Sequence, residues 1–449
     1  MKPSNSAPWL SSTARHFLLL ALILLVLSVS TSADNNNDET CSQEDDQTCV
    51  SPPDPTTTTT TPSYTAFDDV SWAVTSQTLR YPHHQDLYNR YLSACEKDAY
   101  CLQGEEFRLY RNNHQPGSMV NFTQAGYAKM KAPAPVWTLL HDFWLQNKDA
   151  AVAKETTEVY TPSNLLFGSS PDIVSLLNKT LGGTKALRKR ISNAARPILE
   201  EWSGLRLAPS SVYGIRVYRR HAMLHPHVDR TNLVISAIIN IDQDVQEDWP
   251  LELYTHQQQG VAVNITLKPG EMILYESASV IHGRPFPLVG NFYANAFLHF
   301  EGIGPLNDLT KCGPNQDGLP PYIVPGSFWV DDWKKRNPKG WTLLDPFKAV
   351  VAGDIRTLEY LAYSNPQSLL DKDSNGWTPL HEAARHAADN LDIVDFLLRH
   401  GANLQERTGT DQHDDNKNGK LPLEIAREFL GKDHPTTVYL ISRTQLTAW

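Results

Sequence analysis

The stretches HAMLHPHVDR (221–230) and VIHGRPFPLVGNFYAN (280–295) decide how this chain is read. The first carries a His-x-Asp triplet on a segment of strand character. Side chains two apart on a strand share a face, so His227 and Asp229 can approach one ion together. His282, 53 positions after Asp229, comes from a later strand and completes a face of two histidines and one carboxylate. Three ligands on one side of Fe(II) leave three positions open opposite, enough for a bidentate keto acid and dioxygen together. A His-His-Asp zinc site competes with that reading. His225 shares the strand face of His227 and is an alternative ligand.

Working outward, YGIRVYR (213–219), NLVISAIINI (232–241), GVAVNITLKP (260–269), EMILYES (271–277) and NFYANAFLHF (291–300) are short runs at strand period. Val261, Val263, Ile265 and Leu267 alternate with Asn264 and Thr266, which puts Asn264 on the solvated face. Pro269-Gly270 supplies a turn into the next strand. Several short strands separated by turns predict a sandwich or jelly-roll barrel. From about Ser63 to Leu207 the pattern is mainly helical. APVWTLLHDFWLQNK (134–148) opens at a proline and places Trp137, Leu140, Phe143 and Trp144 on one face. IVSLLNKTL (173–181) and ISNAARPILEEW (191–202) carry similar apolar faces, and these helices are expected on the outside of the barrel.

Residues from about 211 to 300 resemble the catalytic domain of the prolyl 4-hydroxylase type of 2-oxoglutarate dioxygenase. The similarity is closest to a subgroup bearing YGIRVYR, HVDR, VISAIINIDQD, MILYES and HGRPFPLVGNFYAN. The family's Pro-His-x-Asp falls on Pro226, His227 and Asp229, and its distal histidine on His282, which favours His227 over His225. The resemblance implies a double-stranded β-helix core, Fe(2+) held by His227, Asp229 and His282, 2-oxoglutarate as co-substrate, and L-ascorbate dependence. It also implies hydroxylation of a peptide or protein, most often at proline, as in a procollagen-proline 4-dioxygenase.

Two positions depart from that pattern. The family's lysine ten residues after the distal histidine is Phe292 here, and the tyrosine three residues before the first histidine is Leu224, although Tyr218 keeps an earlier tyrosine position. A buried dicarboxylate still needs a cation. Arg284, two residues beyond His282 on the same strand face, is the first substitute, with Arg216 and Arg230 behind it and Tyr218 beside them. The substitution at Phe292 also supports an alternative, in which a non-catalytic dioxygenase fold serves as a scaffold for a binding domain.

That second domain starts near Pro346. Pro346 and Pro379 stand 33 residues apart, the central copy carries TPLHEAA (378–384), and LPLEIAREFLG (421–431) re-enters the register at Pro422. The interval and motif resemble the ankyrin repeat, whose Thr-Pro opens the first helix and whose histidine bonds between loops. TDQHDDNKNG (410–419) reads as a loop insertion, and three copies are about the minimum for a stacked core. A protein partner is the expectation for such repeats.

The outer limits come from composition. A chain of 449 residues with 41% hydrophobic content predicts two folded domains plus tails. Its net charge of −10 and the near absence of Lys/Arg clusters argue against nucleic acid. Lys2, Arg15 and His16 precede an apolar run at 17–29 and then TSA, which predicts a secretory signal, with a membrane anchor only if it stays uncleaved. Behind it the chain would stand in the lumen of the secretory pathway, endoplasmic reticulum or Golgi, or be secreted. There the local pairs Cys41/Cys49 and Cys95/Cys101 could close, leaving Cys312 over, and Asn121, Asn178 and Asn264 head glycosylation sequons.

The organisation expected is therefore α+β. It comprises a signal or anchor (1–33), an acidic Thr-rich linker (34–62) and a helical part (63–207). A double-stranded β-helix, or jelly-roll, core (208–304) and a connecting segment (305–341) follow, and all-α ankyrin repeats (342–443) end it.

Overall fold

The computed structural model describes residues 99–150, 153–154, 171–257, 262–386, 391–409 and 419–446. The signal and acidic segments, the side chains of Cys41, Cys49, Cys95 and Cys101, and residues 410–418 of the expected insertion lie outside the described residues. No helix among the described residues is long and apolar enough to cross a membrane.

The core opens with helix α1 (Ala99–His114), strand β1 (Tyr127–Lys131) and helix α2 (Ala134–Asn147). Strands β2 (Ala153–Lys154) and β3 (Asp172–Ser175), helix α3 (Lys185–Ser203), β4 (Leu205–Ser211) and β5 (Gly214–Arg219) follow. The remaining strands are β6 (Leu224–His227), β7 (Ile235–Val245), β8 (Leu251–Tyr254), β9 (Ala262–Ile265), β10 (Glu271–Tyr275), β11 (His282–Arg284) and β12 (Gly290–Pro305). The larger sheet runs β1-β10-β7-β12-β5-β3-β2, with β4 also on β12, and the smaller runs β6-β11-β8-β9. All pairings are antiparallel. Because β5, β7, β10 and β12 lie in one sheet and β6, β8, β9 and β11 in the other, the chain weaves between two facing sheets. This is the double-stranded β-helix, or jelly roll.

Strand alternation sorts the side chains. Ile235, Ala237, Ile239 and Ile241 of β7 and Met272 and Leu274 of β10 face Val136, Leu140, Phe143 and Trp144 of α2 and Ile191, Ala195 and Leu199 of α3. Helices thus cover the outer face of the larger sheet. The intervening residues Ile238, Ile273 and Tyr275 turn inward to meet Leu251, Leu253 and Val280.

Among the described residues, the stretch before residue 207 is less helical than its pattern predicts. IVSLLNKTL forms β3 and a short 3-10 turn, because β-branched Ile173 and Val174 pair with Arg216 and Ile215 of β5. Tyr127–Lys131 pairs with β10, so the larger sheet recruits strands from well before the expected core. Of the three sequons, Asn178 and Asn264 are exposed, but Asn121 is buried, and a glycan there has no room in the folded protein. Cys312 is a buried free thiol, the one free cysteine among the described residues.

Beyond helix α4 (Trp329–Arg336) come three helix pairs: α5 (Pro346–Ala352) with α6 (Ile355–Ser364), α7 (Pro379–His386) with α8 (Leu391–Arg399), and α9 (Pro422–Phe429) with α10 (Pro435–Leu446). They share one apolar core that includes Val350, Leu358, Leu380, Leu397, Ile425 and Leu440. His381 Nδ1 accepts from the Thr378 backbone N–H at 3.0 Å while Nε2 donates to the Glu406 carbonyl at 3.0 Å, so one imidazole ties two loops. This repeat array is anchored to the barrel side. Arg356 of α6 makes a two-pronged ion pair with buried Glu200 of α3 at 2.7 and 2.9 Å, and Arg206 of β4 reaches Glu359 at 2.6 Å.

Candidate metal centre

β6 and β11 are neighbours in the smaller sheet, and His227 stands directly across from His282 in their register. Asp229 follows on the turn out of β6, its N–H donating to the Ser277 carbonyl at 2.8 Å. One ligand atom from each of His227, Asp229 and His282 lies within 4.8 Å of the others. His227 Nδ1 bonds the His225 carbonyl at 2.8 Å and His282 Nδ1 the Val280 carbonyl at 2.9 Å. A carbonyl can only accept, so both Nδ1 atoms carry the proton and both Nε2 lone pairs are free to coordinate.

The electrostatics suit a cation. Burial, followed by the neighbouring His282, pushes the His227 pKa down to about 3, and burial lowers that of His282 as well. Both rings are therefore neutral near pH 7. Burial alone would raise the Asp229 carboxyl, but His299, His282 and His227 hold it below the usual carboxylate range. Two neutral imidazoles and one carboxylate are the donor set of a first-row divalent metal.

His225 does not join this group. Its Nδ1 stands 3.5 Å from Glu105 of α1, so the two-residue spacing that made it an alternative ligand fails in the tertiary structure. The register between β6 and β11 shifts between His282 and Arg284, which is where simple alternation breaks down.

Arg284 is buried to 1% exposure, with its guanidinium carbon 4.6 Å from the ring centres of both Trp249 and Tyr293. Its Nη1 donates to the Trp249 carbonyl, whereas Nη2 has no partner within the protein. Tyr218 is buried beside it, edge-on to Trp249 at 5.1 Å, and its hydroxyl accepts from Arg216 at 3.3 Å. Arg216 is half-buried over the Phe297 ring, and Arg230 is exposed, so of the expected cations Arg230 is not inside the barrel. Phe292 is turned away from the interior and packs near Trp144 of the helix layer, with ring centres 6.2 Å apart.

Several residues here carry no signal in the motifs. Tyr275 stacks edge-on against His282 at 4.7 Å, and Ser277 links Asp229 to Ser236 through its carbonyl and its hydroxyl. His299 sits 3.6 Å from Asp229 and bonds Ser236 at 2.7 Å. Buried Asn295 has neither amide atom bonded within the protein. The period of two through Tyr293, Asn295, Phe297 and His299 is the one sequence feature that points to the last two.

Comparison with known proteins divides along the chain. Residues 326–408 and 347–442 match the family described as ankyrin repeats, in three copies. The mouse 2-5A-dependent ribonuclease is 39% identical over 79 residues, and the chain spans only 9% of that relative's length. Among solved structures, a Pseudomonas putida prolyl-4-hydroxylase is 15% identical with a TM-score of 0.27, over 40% of this chain and 94% of that one. A Trichoplax adhaerens prolyl hydroxylase in complex with a hypoxia inducible factor peptide is 13% identical with a TM-score of 0.30, over 45% and 94%. A 2OG-Fe(II) oxygenase family oxidoreductase from Burkholderia pseudomallei is 11% identical with a TM-score of 0.30, over 39% and 85%.

Proposed function

We propose that the barrel is an Fe(II)- and 2-oxoglutarate-dependent dioxygenase that hydroxylates a peptide or protein, with prolyl side chains the first class of substrate to test. One observation carries the reading: the strand that bears His282 also bears Arg284, a buried guanidinium with an unbonded Nη2 inside the same barrel. When bound, Fe(II) with 2-oxoglutarate and dioxygen would supply the oxidising chemistry, in which one oxygen atom goes into succinate as the keto acid loses CO2 and the other into the hydroxylated C–H bond.

The chain's own part is to hold and to shield. His227 and His282 would offer Nε2 and Asp229 a carboxylate oxygen, each already oriented by a main-chain bond. Arg284 Nη2 would donate to the far carboxylate of the keto acid, and Trp249, Tyr293 and Tyr218 exclude water around that ion pair, which strengthens it. Ascorbate would keep the metal reduced between turnovers. The lumenal address expected from residues 1–33, and a protein partner on the repeats, belong to the same proposal.

Succinate release from 2-oxoglutarate by the full chain, with Fe(II) and ascorbate and with or without proline-rich peptides, tests it. Peptide-stimulated release with a mass gain of one oxygen on the peptide is expected. Metal binding without any succinate would select the scaffold reading instead.

A further inference from the structure

Helix α1 does more than cover the smaller sheet. β6 is an edge strand there, and its outer backbone groups would otherwise lack partners. Asn112 supplies them as a strand would: its Nδ2 donates to the Pro226 carbonyl at 2.9 Å while its Oδ1 accepts from the Val228 N–H at 3.1 Å. Arg108, held by Glu105, donates to the same Pro226 carbonyl at 2.6 Å. Gln115 donates from Nε2 to the Asp229 carbonyl at 2.6 Å and to the Ala278 carbonyl at 2.8 Å, joining the turn that carries Asp229 to the loop that leads into His282. Its Oε1 is fixed by Arg111 at 3.1 and 3.0 Å, and Arg111 also donates to the Asp229 carbonyl. Positions 108, 111 and 112 of α1 and 115 directly after its end fall on one helical stripe, the Gln115 N–H still donating to the Arg111 carbonyl at 2.8 Å, so one face grips residues 226 to 229.

We propose that Asn112 and Gln115 are positioning residues for the metal centre, setting the separation between the His227–Asp229 segment and the His282 strand. The inference rests on the metal-site reading above. Main-chain placement decides where a short side chain such as Asp229 points. Outer partners of metal ligands typically govern affinity by roughly ten- to a hundredfold.

The test is Co(II) titration of the full chain at neutral pH, followed by visible d–d absorption and set beside thermal unfolding of the metal-free protein. Gln115→Glu keeps the shape and the Arg111 contact but offers no N–H to the two carbonyls, and Asn112→Asp likewise loses only its donor. Each should weaken Co(II) binding roughly tenfold or more and alter the d–d band, with a loss of unfolding stability comparable to that of the buried-carboxamide control Asn147→Asp. Asn147→Asp, a buried carboxamide that bridges Phe143 and Leu181 in the helix layer, should change unfolding and leave Co(II) affinity alone. Affinity within twofold of the unchanged protein, with the same spectrum, in either folded variant of α1 would overturn the proposal. Equal Co(II) binding by His227→Ala and the unchanged protein would sink the metal-site reading itself, and this inference with it.

Discussion

The backbones of Gly283 and Pro226 pass so close that a β-carbon at position 283 would stand 2.7 Å from the Pro226 nitrogen and 2.8 Å from its Cα. No flexible side chain is there to yield. Gly283→Ala must therefore push β11 away from β6, and these are the strands that pair His282 with His227. The expected outcome is a loss of about 1–3 kcal/mol in denaturant unfolding from overpacking, together with weakened divalent metal binding by calorimetry. Unaltered metal affinity would mean that the two strands can part without moving the ligands.

The three candidate ligands should separate cleanly from their neighbour. His227→Ala or His282→Ala leaves two donors and should abolish Fe(II) binding and turnover. His225→Ala, which removes a neighbour of Glu105 while Arg108 stays paired with it, should keep most of both. Anaerobic Fe(II) titration distinguishes them, and loss of iron in His225→Ala alone would reverse the assignment.

Arg284→Ala should raise the 2-oxoglutarate requirement by the ~2–5 kcal/mol expected when a buried charge pair loses one partner, with iron affinity nearly unchanged. Arg216→Ala should matter less, since Arg216 is half-buried and engaged with Tyr218 and the Phe297 ring. Apparent 2-oxoglutarate affinity within a factor of two in Arg284→Ala would place the anchor elsewhere.

Removing Arg356 leaves the Glu200 carboxylate, which is 2% exposed, with only the Leu207 N–H at 3.0 Å and Arg196 at 3.9 Å among its named partners at the junction between barrel and repeats. Arg356 itself is 24% exposed, so the loss should be about 1–3 kcal/mol, below the cost of a fully buried pair. Among the described residues none beyond 341 is in the metal cluster, so small-peptide turnover by Arg356→Ala should stay near that of the unchanged protein. Unfolding curves and succinate release, measured together, check both halves. A large fall in turnover at unchanged stability would show that the repeats act on the active site.

The legible part of this chain is what repeats or alternates along it. The 33-residue spacing with TPLHEAA marks the ankyrin array, because each copy must meet the same neighbours and so keeps the same pattern. In the barrel, inward and outward residues of β7, β10 and β12 alternate as their apolar pattern predicts, and His227, Asp229 and His282 stand out by spacing and resemblance. Arg284 stands out by its strand period, and it does lie inside the barrel.

The sequence by itself therefore determined the two-part architecture and the residues that converge, since both follow from local periodicity and residue chemistry. The tertiary structure alone decided which of two similar residues belongs where. His225 lost its place beside His227 because β6 meets α1 on one side and an irregular register with β11 on the other. Phe292 faces Trp144 because it is in phase with Ala294, Ala296 and Leu298 on the helix-covered side of β12, which leaves the inward face to Tyr293. Tyr127–Lys131 and Asp172–Ser175 became strands because β10 and β5 offered edges to pair with. The grip of Asn112 and Gln115 on residues more than a hundred positions away was likewise invisible, because a carboxamide on a helix stripe acquires partners only when the chain has brought them there.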